Sequence, residues 1–158
     1  MKVQFLLNIL LTIVWVFLTG SLAIVNFTFG FLVSFLVLWL ISRKQENRKY
    51  FRIAPRLIGF FFFFIYELIK ANIQVAMDVV TPKFYMTPGI VAVPLEAKTN
   101  LEITLLANII SLTPGTLSID VSNDKKVLYV HAMYIEDKDA FIEDIKNGFE
   151  KRLLAILR

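Results

Sequence analysis

VQFLLNILLTIVWVFLTGSLAIVNFTFGFLVSFLVLWLIS, at residues 3–42, contains no charged side chain. A helix that crosses the ~30 Å hydrocarbon core of a bilayer needs about 20 mainly apolar residues, so this stretch is long enough for two crossings and too long for one. Glycine and serine at Thr19-Gly20-Ser21 favour a break in the helix. The sequence therefore predicts a transmembrane helical hairpin over residues 1–42, with spans at 3–19 and 22–42.

A cleaved signal peptide is the alternative interpretation of the first apolar run. Lys2 precedes this run and Ser21-Leu22-Ala23 follows it, as in a signal peptide with its cleavage site. We favour a retained hairpin, because a second apolar run follows at once and acts as a stop-transfer segment.

The composition also indicates a small membrane protein. Of the 158 residues, 57% are hydrophobic, and the mean hydropathy is +0.66, which exceeds that of an ordinary soluble domain. The chain has no cysteine, which excludes a disulfide framework and a thiolate metal site. Residues 1–82 hold eight Lys and Arg against three Asp and Glu, whereas residues 83–158 hold nine against ten. The positive charge thus flanks the membrane part and does not indicate nucleic-acid binding.

A basic loop is predicted at residues 43–56. Short loops rich in Lys and Arg stay in the cytoplasm, so this loop and the N-terminus should both be cytoplasmic. Tyr50 and Phe51 would lie at the interface, beside arginines that can pair with anionic lipid headgroups. We interpret the loop as a topology signal rather than as a specific lipid site.

The third apolar segment, residues 57–82, carries a polar stripe. Glu67, Lys70, Gln74 and Asp78 are spaced by three, four and four residues and therefore share one helical face. The segment either spans the membrane with this stripe turned to a partner or an aqueous cavity, or lies along the interface as an amphipathic helix. The simplest interpretation of Glu67 and Lys70 is mutual neutralisation at i, i+3; the alternative is an ion path that includes Glu67.

Residues 83–158 are predicted to form a small α/β domain in the order strand, helix, strand, strand, helix. Pro94 marks the strand at 89–95 as an edge strand. Thr99 and Glu102 have the spacing of a capping box, which opens the first helix. That helix should end in a structural turn with Pro-Gly at its centre, formed by Thr113, Pro114, Gly115 and Thr116.

The rest of the domain follows from alternation and periodicity. Residues 117–122 alternate as a half-buried strand, and residues 127–134 are apolar on both faces, which predicts a central strand. His131 on that strand is interpreted as half-buried rather than as a catalytic residue or a metal ligand. The last helix is amphipathic, and we interpret its carboxylates as a solvated face. Its apolar positions are Phe141, Ile145, Phe149, Leu153 and Ile156.

The sequence contains no recognisable catalytic constellation, phosphate loop or metal cluster. We therefore predict no enzymatic activity, no catalytic residue, no bound metal and no cofactor. A membrane-anchored interaction or enzymatic domain unrelated to transport, and a stand-alone small transporter, are the competing interpretations.

The stretch LANIISLTPGTLSIDVS at residues 106–122, followed by LYVHAM at 128–133, resembles the signature of one family. This family is the E subunit of the multisubunit cation/proton antiporters, called Mrp, Mnh or Sha. The apolar N-terminal part and the overall length are also similar, so the resemblance covers essentially the whole chain.

The resemblance implies an accessory or structural subunit of a bacterial plasma-membrane complex. The whole complex would exchange cytoplasmic Na⁺ for external H⁺, driven by the proton-motive force. The implied partners are the other antiporter subunits and the lipid bilayer. The chain would be a multi-pass protein with its C-terminal domain in the cytoplasm, which favours a flat interfacial or a re-entrant position for residues 57–80. No family motif assigns catalytic residues to this subunit.

Overall fold

The chain divides into two units, Met1–Pro55 and Arg56–Arg158. A computed structural model describes residues 2–41, 48–81 and 86–158. Residues 42–47, which hold part of the predicted basic loop, lie outside the described residues.

The first unit is built on two apolar helices, α1 (Lys2–Thr19) and α2 (Ile24–Ile41), that pack against each other. After α1 ends, Gly20 adopts φ +64°, which glycine reaches without the steric cost of a Cβ. Gly30 of α2 is buried against Trp15, whose ring would lie 2.5 Å from an added Cβ. A glycine at this position therefore permits the close approach of the two helices.

One helix in the described part of the chain, Ile24–Ile41, is long and apolar enough to cross a membrane by length and composition. The apolar run of α1, Val3–Thr19, is slightly shorter. Three polar residues of α1 are buried, namely Gln4, Asn8 and Thr12. The Thr12 hydroxyl donates to the Asn8 carbonyl at 2.7 Å, and the Asn8 amide nitrogen donates to the Tyr50 hydroxyl at 3.1 Å.

Helix α3 (Arg48–Val80) begins earlier than the sequence analysis predicted. Residues 48–56 were assigned to the basic loop because of their Lys and Arg content, but they are helical, and Pro55 lies inside the helix. The reason is tertiary packing within the first unit, where the Phe51 ring is buried against Phe35 at a centroid distance of 5.1 Å. Tyr50 packs on both rings. This aromatic cluster stabilises the turns that precede Pro55.

The second unit contains a three-stranded antiparallel sheet in the order β1 (Gly89–Pro94), β3 (Val127–Ala132), β2 (Thr116–Val121). The prediction of a central third strand is confirmed, and the strand predicted at residues 89–95 lies at an edge of the sheet and ends at Pro94. One face of the sheet packs against helix α4 (Asn100–Leu112) and the C-terminal helical segment. The core consists of Val91, Val93, Leu106, Ile110, Leu128, Val130, Ile145 and Leu153.

The C-terminal helical segment comprises α5 (Lys138–Glu143), a π-helical segment (Asp144–Glu150) and α6 (Lys151–Leu157). The periodicity predicted a helix here but not its π-helical part. The interpretation of its carboxylates as a solvated face is wrong for Glu150, whose side chain is 1% exposed. Glu150 Oε1 accepts hydrogen bonds from the backbone N–H groups of Glu96 and Ala97 at 2.6 and 2.8 Å. The wider π turn accompanies this inward carboxylate.

The predicted capping box at the start of α4 is confirmed, and the last residue of the chain joins it. Glu102 Oε2 accepts from the backbone N–H groups of Lys98 and Thr99, and the Thr99 hydroxyl accepts from Glu102 N–H. The Arg158 guanidinium donates to both carboxylate oxygens of Glu102, at 3.0 and 3.2 Å. Hydrogen bonds from Arg158 and from the two backbone N–H groups lower the pKa of Glu102 from 4.5 to about 2.

We expect Glu102→Gln to weaken the fold at neutral pH. Because the pKa of Glu102 is lower in the folded chain, its carboxylate stabilises the fold above pH 4.5, and this stabilisation is lost as the pH falls towards 2. The difference in thermal unfolding between the wild type and Glu102→Gln, followed by circular dichroism in detergent, should therefore shrink over that range. Glu136→Gln at an exposed position is the control. A difference independent of pH would contradict the assignment.

Candidate functional site

A cavity of about 180 Å³ lies within the second unit, between α3 and the α/β domain. It brings together two sets of residues that the sequence analysis treated separately, namely the polar stripe of α3 and the Pro-Gly turn after α4. The polar residues at its wall are Glu67, Lys70, Gln74, Thr113, Thr116, Tyr134 and Asp144.

The charged residues of the α3 stripe have partners inside the second unit. The Tyr134 hydroxyl donates a hydrogen bond to the Asp78 carboxylate, and this bond raises the pKa of Tyr134 to about 12. Glu67 Oε2 lies 3.7 Å from the Lys70 ammonium nitrogen, in the i, i+3 arrangement considered from the sequence. This ion pair is weak, because the Lys70 side chain is 60% exposed and water screens the interaction.

Hydroxyl groups complete the turn that ends α4. Thr116 N–H donates to the Thr113 carbonyl at 3.2 Å, and Gly115 has φ +86°, as a type II turn requires at its third position. The hydroxyls of Thr113 and Thr116 both donate to the Ile110 carbonyl, at 2.7 and 2.6 Å. The Thr113 backbone N–H also donates to this carbonyl, at 3.1 Å, so the two hydroxyls add to the backbone bond that closes the helix. The sequence indicated the turn; the threonines on both sides of Pro-Gly were the signal for its side-chain bonds.

An aromatic contact, absent from the sequence-based candidates, attaches the α/β domain to α3. The Phe63 ring meets the Phe149 ring edge-on at a centroid distance of 5.3 Å, and the Arg152 guanidinium lies 4.3 Å from the Phe63 centroid. Phe63 precedes Glu67 by one helical turn, so it shares the face of the polar stripe. That spacing is the signal by which it could have been found.

The contacts between α3 and the α/β domain extend along most of the helix. Near one end, Arg56 Nη1 donates to the Ala155 carbonyl at 2.8 Å. At the other end, Asp78 accepts from Tyr134. The rise between Arg56 and Asp78 is about 33 Å at 1.5 Å per residue. The polar face of α3 is thus turned towards the domain of its own chain.

His131 is not among the residues that line this cavity. It is half-buried on the central strand, between Ile90 on one neighbouring strand and Leu117 on the other. Within the described residues, no group of three or more His, Asp or Glu side chains is arranged to hold a metal ion.

In chain order, two apolar helices are followed by a long amphipathic helix and a small α/β domain, and the solved structures similar to this chain belong to membrane complexes. The family described as Na⁺/H⁺ ion antiporter subunit matches residues 8–156. The Na⁺/H⁺ antiporter E subunits of Alkalihalophilus pseudofirmus and Bacillus subtilis are 40% and 39% identical to this chain, over 100% of each chain.

Two solved structures are also similar. A chain of the Mrp complex from a Dietzia species is 29% identical, with a TM-score of 0.50 over 65% of this chain and 96% of that chain. A chain of the membrane-bound sulfane sulfur reductase, an archaeal respiratory membrane complex, is 32% identical, with a TM-score of 0.59 over 97% and 98%. The chain belongs to the family of Na⁺/H⁺ antiporter E subunits, as its resemblance implied. It is a membrane-located member of a multisubunit antiporter, and its partners are the other subunits.

We expect Gly115→Val to lower the amounts of folded subunit and of assembled complex together. A Cβ at φ +86° is strained, and the cost is of order 1 kcal/mol or more. Immunoblots of membranes and native gels measure the two amounts. Gly59→Ala is the control, because a Cβ there meets no atom within 4 Å. Full assembly with loss of Na⁺/H⁺ exchange would show instead that the turn acts in transport.

Proposed function

We propose that this chain is an accessory subunit that supports assembly of the antiporter and neither carries the exchanged ions itself nor acts as an enzyme. The whole complex would exchange cytoplasmic Na⁺ for external H⁺, driven by the proton-motive force. The observation that supports an accessory role is the pairing of the α3 carboxylates, Asp78 with Tyr134 and Glu67 with Lys70. For Glu67, the neighbouring Lys70 ammonium group supplies charge balance without a transported ion, and Asp78 accepts a hydrogen bond from the Tyr134 hydroxyl.

An ion path through the cavity is the second candidate function. Its support is that Glu67 and Asp144 line the same cavity and that Asp144 is exposed. Lys70 lines this cavity as well, and its ammonium group repels a passing cation. The accessory role is therefore the better supported of the two.

We infer that α1 and α2 cross the membrane and that the N-terminus and the α/β domain are both cytoplasmic. The basic residues that follow α2 support this orientation. The contacts along about 33 Å of α3 support it further, since that length exceeds the ~30 Å hydrocarbon core. A spanning α3 would bring the exposed Glu143 and Lys151 of the domain into hydrocarbon, at about 3 kcal/mol or more for each charge.

We expect the chain reconstituted alone in vesicles to show no cation-dependent dissipation of an imposed proton gradient. A pH-sensitive dye inside the vesicles measures the gradient, and the complete complex in the same lipid is the positive control. Dissipation on addition of Na⁺ to vesicles that hold only this chain would overturn the accessory assignment.

We expect the paired exchange Glu67→Lys with Lys70→Glu to retain assembly and much of the Na⁺/H⁺ exchange, because opposite charges still meet on the same face of α3. Glu67→Lys alone is the comparison variant, and it should assemble less well because two ammonium groups then lie one turn apart. Exchange in everted vesicles and native gels are the measurements. Normal assembly of the paired variant without any exchange would favour the ion path.

A further inference from the structure

The side of α3 turned away from the α/β domain is an exposed apolar surface, which we call the outer face. Its side chains recur at spacings of four, four, three, four and four residues, which keeps them on one helical stripe. Each of them is between 51% and 66% exposed. The outer face consists of Ile58, Phe62, Tyr66, Ile69, Ile73 and Met77.

We propose that the outer face binds the membrane surface, with α3 parallel to the bilayer and its apolar side chains among the acyl chains just below the headgroups. The surface is the cytoplasmic one under the orientation proposed above. A long helix with one apolar and one polar face is the form of chain that lies in this interface. Since the polar face of α3 is attached to the α/β domain, the domain would rest on the membrane through this helix.

Charge supports lipid as the occupant of the outer face. Arg52 precedes the outer face by less than two turns and is exposed. Lys70 lies beside the outer face, and its side chain is 60% exposed. Both cations can reach phospholipid headgroups while the apolar residues enter the acyl region.

The position of α3 in the chain supports the same occupant. Only residues 42–47 separate the end of α2 at Ile41 from the start of α3 at Arg48. If α2 crosses the membrane, α3 must therefore start close to the membrane surface. A protein partner is less well supported, because the outer face is an unbroken apolar stripe on a single helix. Interfaces between subunits usually add hydrogen bonds and a polar rim.

The test uses single cysteines, because the full chain has none of its own. The variants Ile58→Cys, Ile69→Cys and Met77→Cys are each labelled with a small fluorophore and placed in nanodiscs of brominated phospholipid. We expect the same loss of fluorescence at all three sites, greatest when the bromine lies near the headgroup. A spanning helix would separate residues 58 and 77 by about 28 Å of depth, so loss that varies along the helix would overturn the proposal. Lys98→Cys, exposed on the α/β domain, is the matched control and should not be quenched.

A second measurement separates lipid from a protein partner in the assembled complex. A photoreactive amino acid is placed at Phe62 or Ile73 in cells, and cross-linked products are identified by mass. Cross-links to phospholipid support the proposal, whereas efficient cross-links to another subunit from both positions, or no quenching in the nanodiscs, would overturn it. In everted vesicles the cytoplasmic side faces outwards, so labelling of Lys98→Cys by a membrane-impermeant reagent indicates a cytoplasmic α/β domain. This measurement tests the proposed orientation separately from the contact of the outer face with lipid.

Discussion

The polar face of α3 must be kept out of hydrocarbon, and the arrangement of the second unit depends on this constraint. Carboxylates and an ammonium group on a helix that is otherwise rich in phenylalanine cannot be left among acyl chains without a large free-energy cost. The α/β domain removes the problem by packing on that face, with Phe63 against Phe149 and Tyr134 donating to Asp78. One face of α3 is thereby committed to the domain, and the opposite face remains apolar and exposed.

The α/β domain is small, and polar contacts between distant parts of its chain add to its limited core. A domain of this size buries too little apolar surface to be far from the limit of stability. Glu150 binds the backbone just after β1, and Arg158 binds the carboxylate that caps α4. Both contacts attach the C-terminal helical segment to the chain between the end of β1 and the first turn of α4. The attachment to α3 then packs Phe149 of the domain against Phe63.

The sequence predicted those features that short-range patterns determine. The capping box at Thr99, the turn at Gly115 and the central position of β3 each depend on a few neighbouring residues, and each was recognised. The start of α3 was missed because its first residues were interpreted from their charge as a loop, whereas the packing of Phe51 on Phe35 depends on a residue in another helix. The buried Glu150 was missed because its partners are far away in the chain. The cavity combines two predicted sets of residues, but no spacing rule could show that they meet.

The pairing of the α3 carboxylates also bears on how this subunit could influence transport without carrying ions. A cation that leaves water needs several oxygen ligands in place of its hydration shell. In the cavity wall, the Glu67 carboxylate has the ammonium group of Lys70 beside it, and this group repels a cation. A subunit that acts by assembly affects exchange differently, because the amount of complex follows the amount of folded subunit by mass action. Substitutions that loosen the turn at Gly115 or the attachment of Phe63 would then reduce exchange in proportion to the complex lost. Exchange per assembled complex would be unchanged, and this ratio distinguishes an assembly role from a place in the ion path.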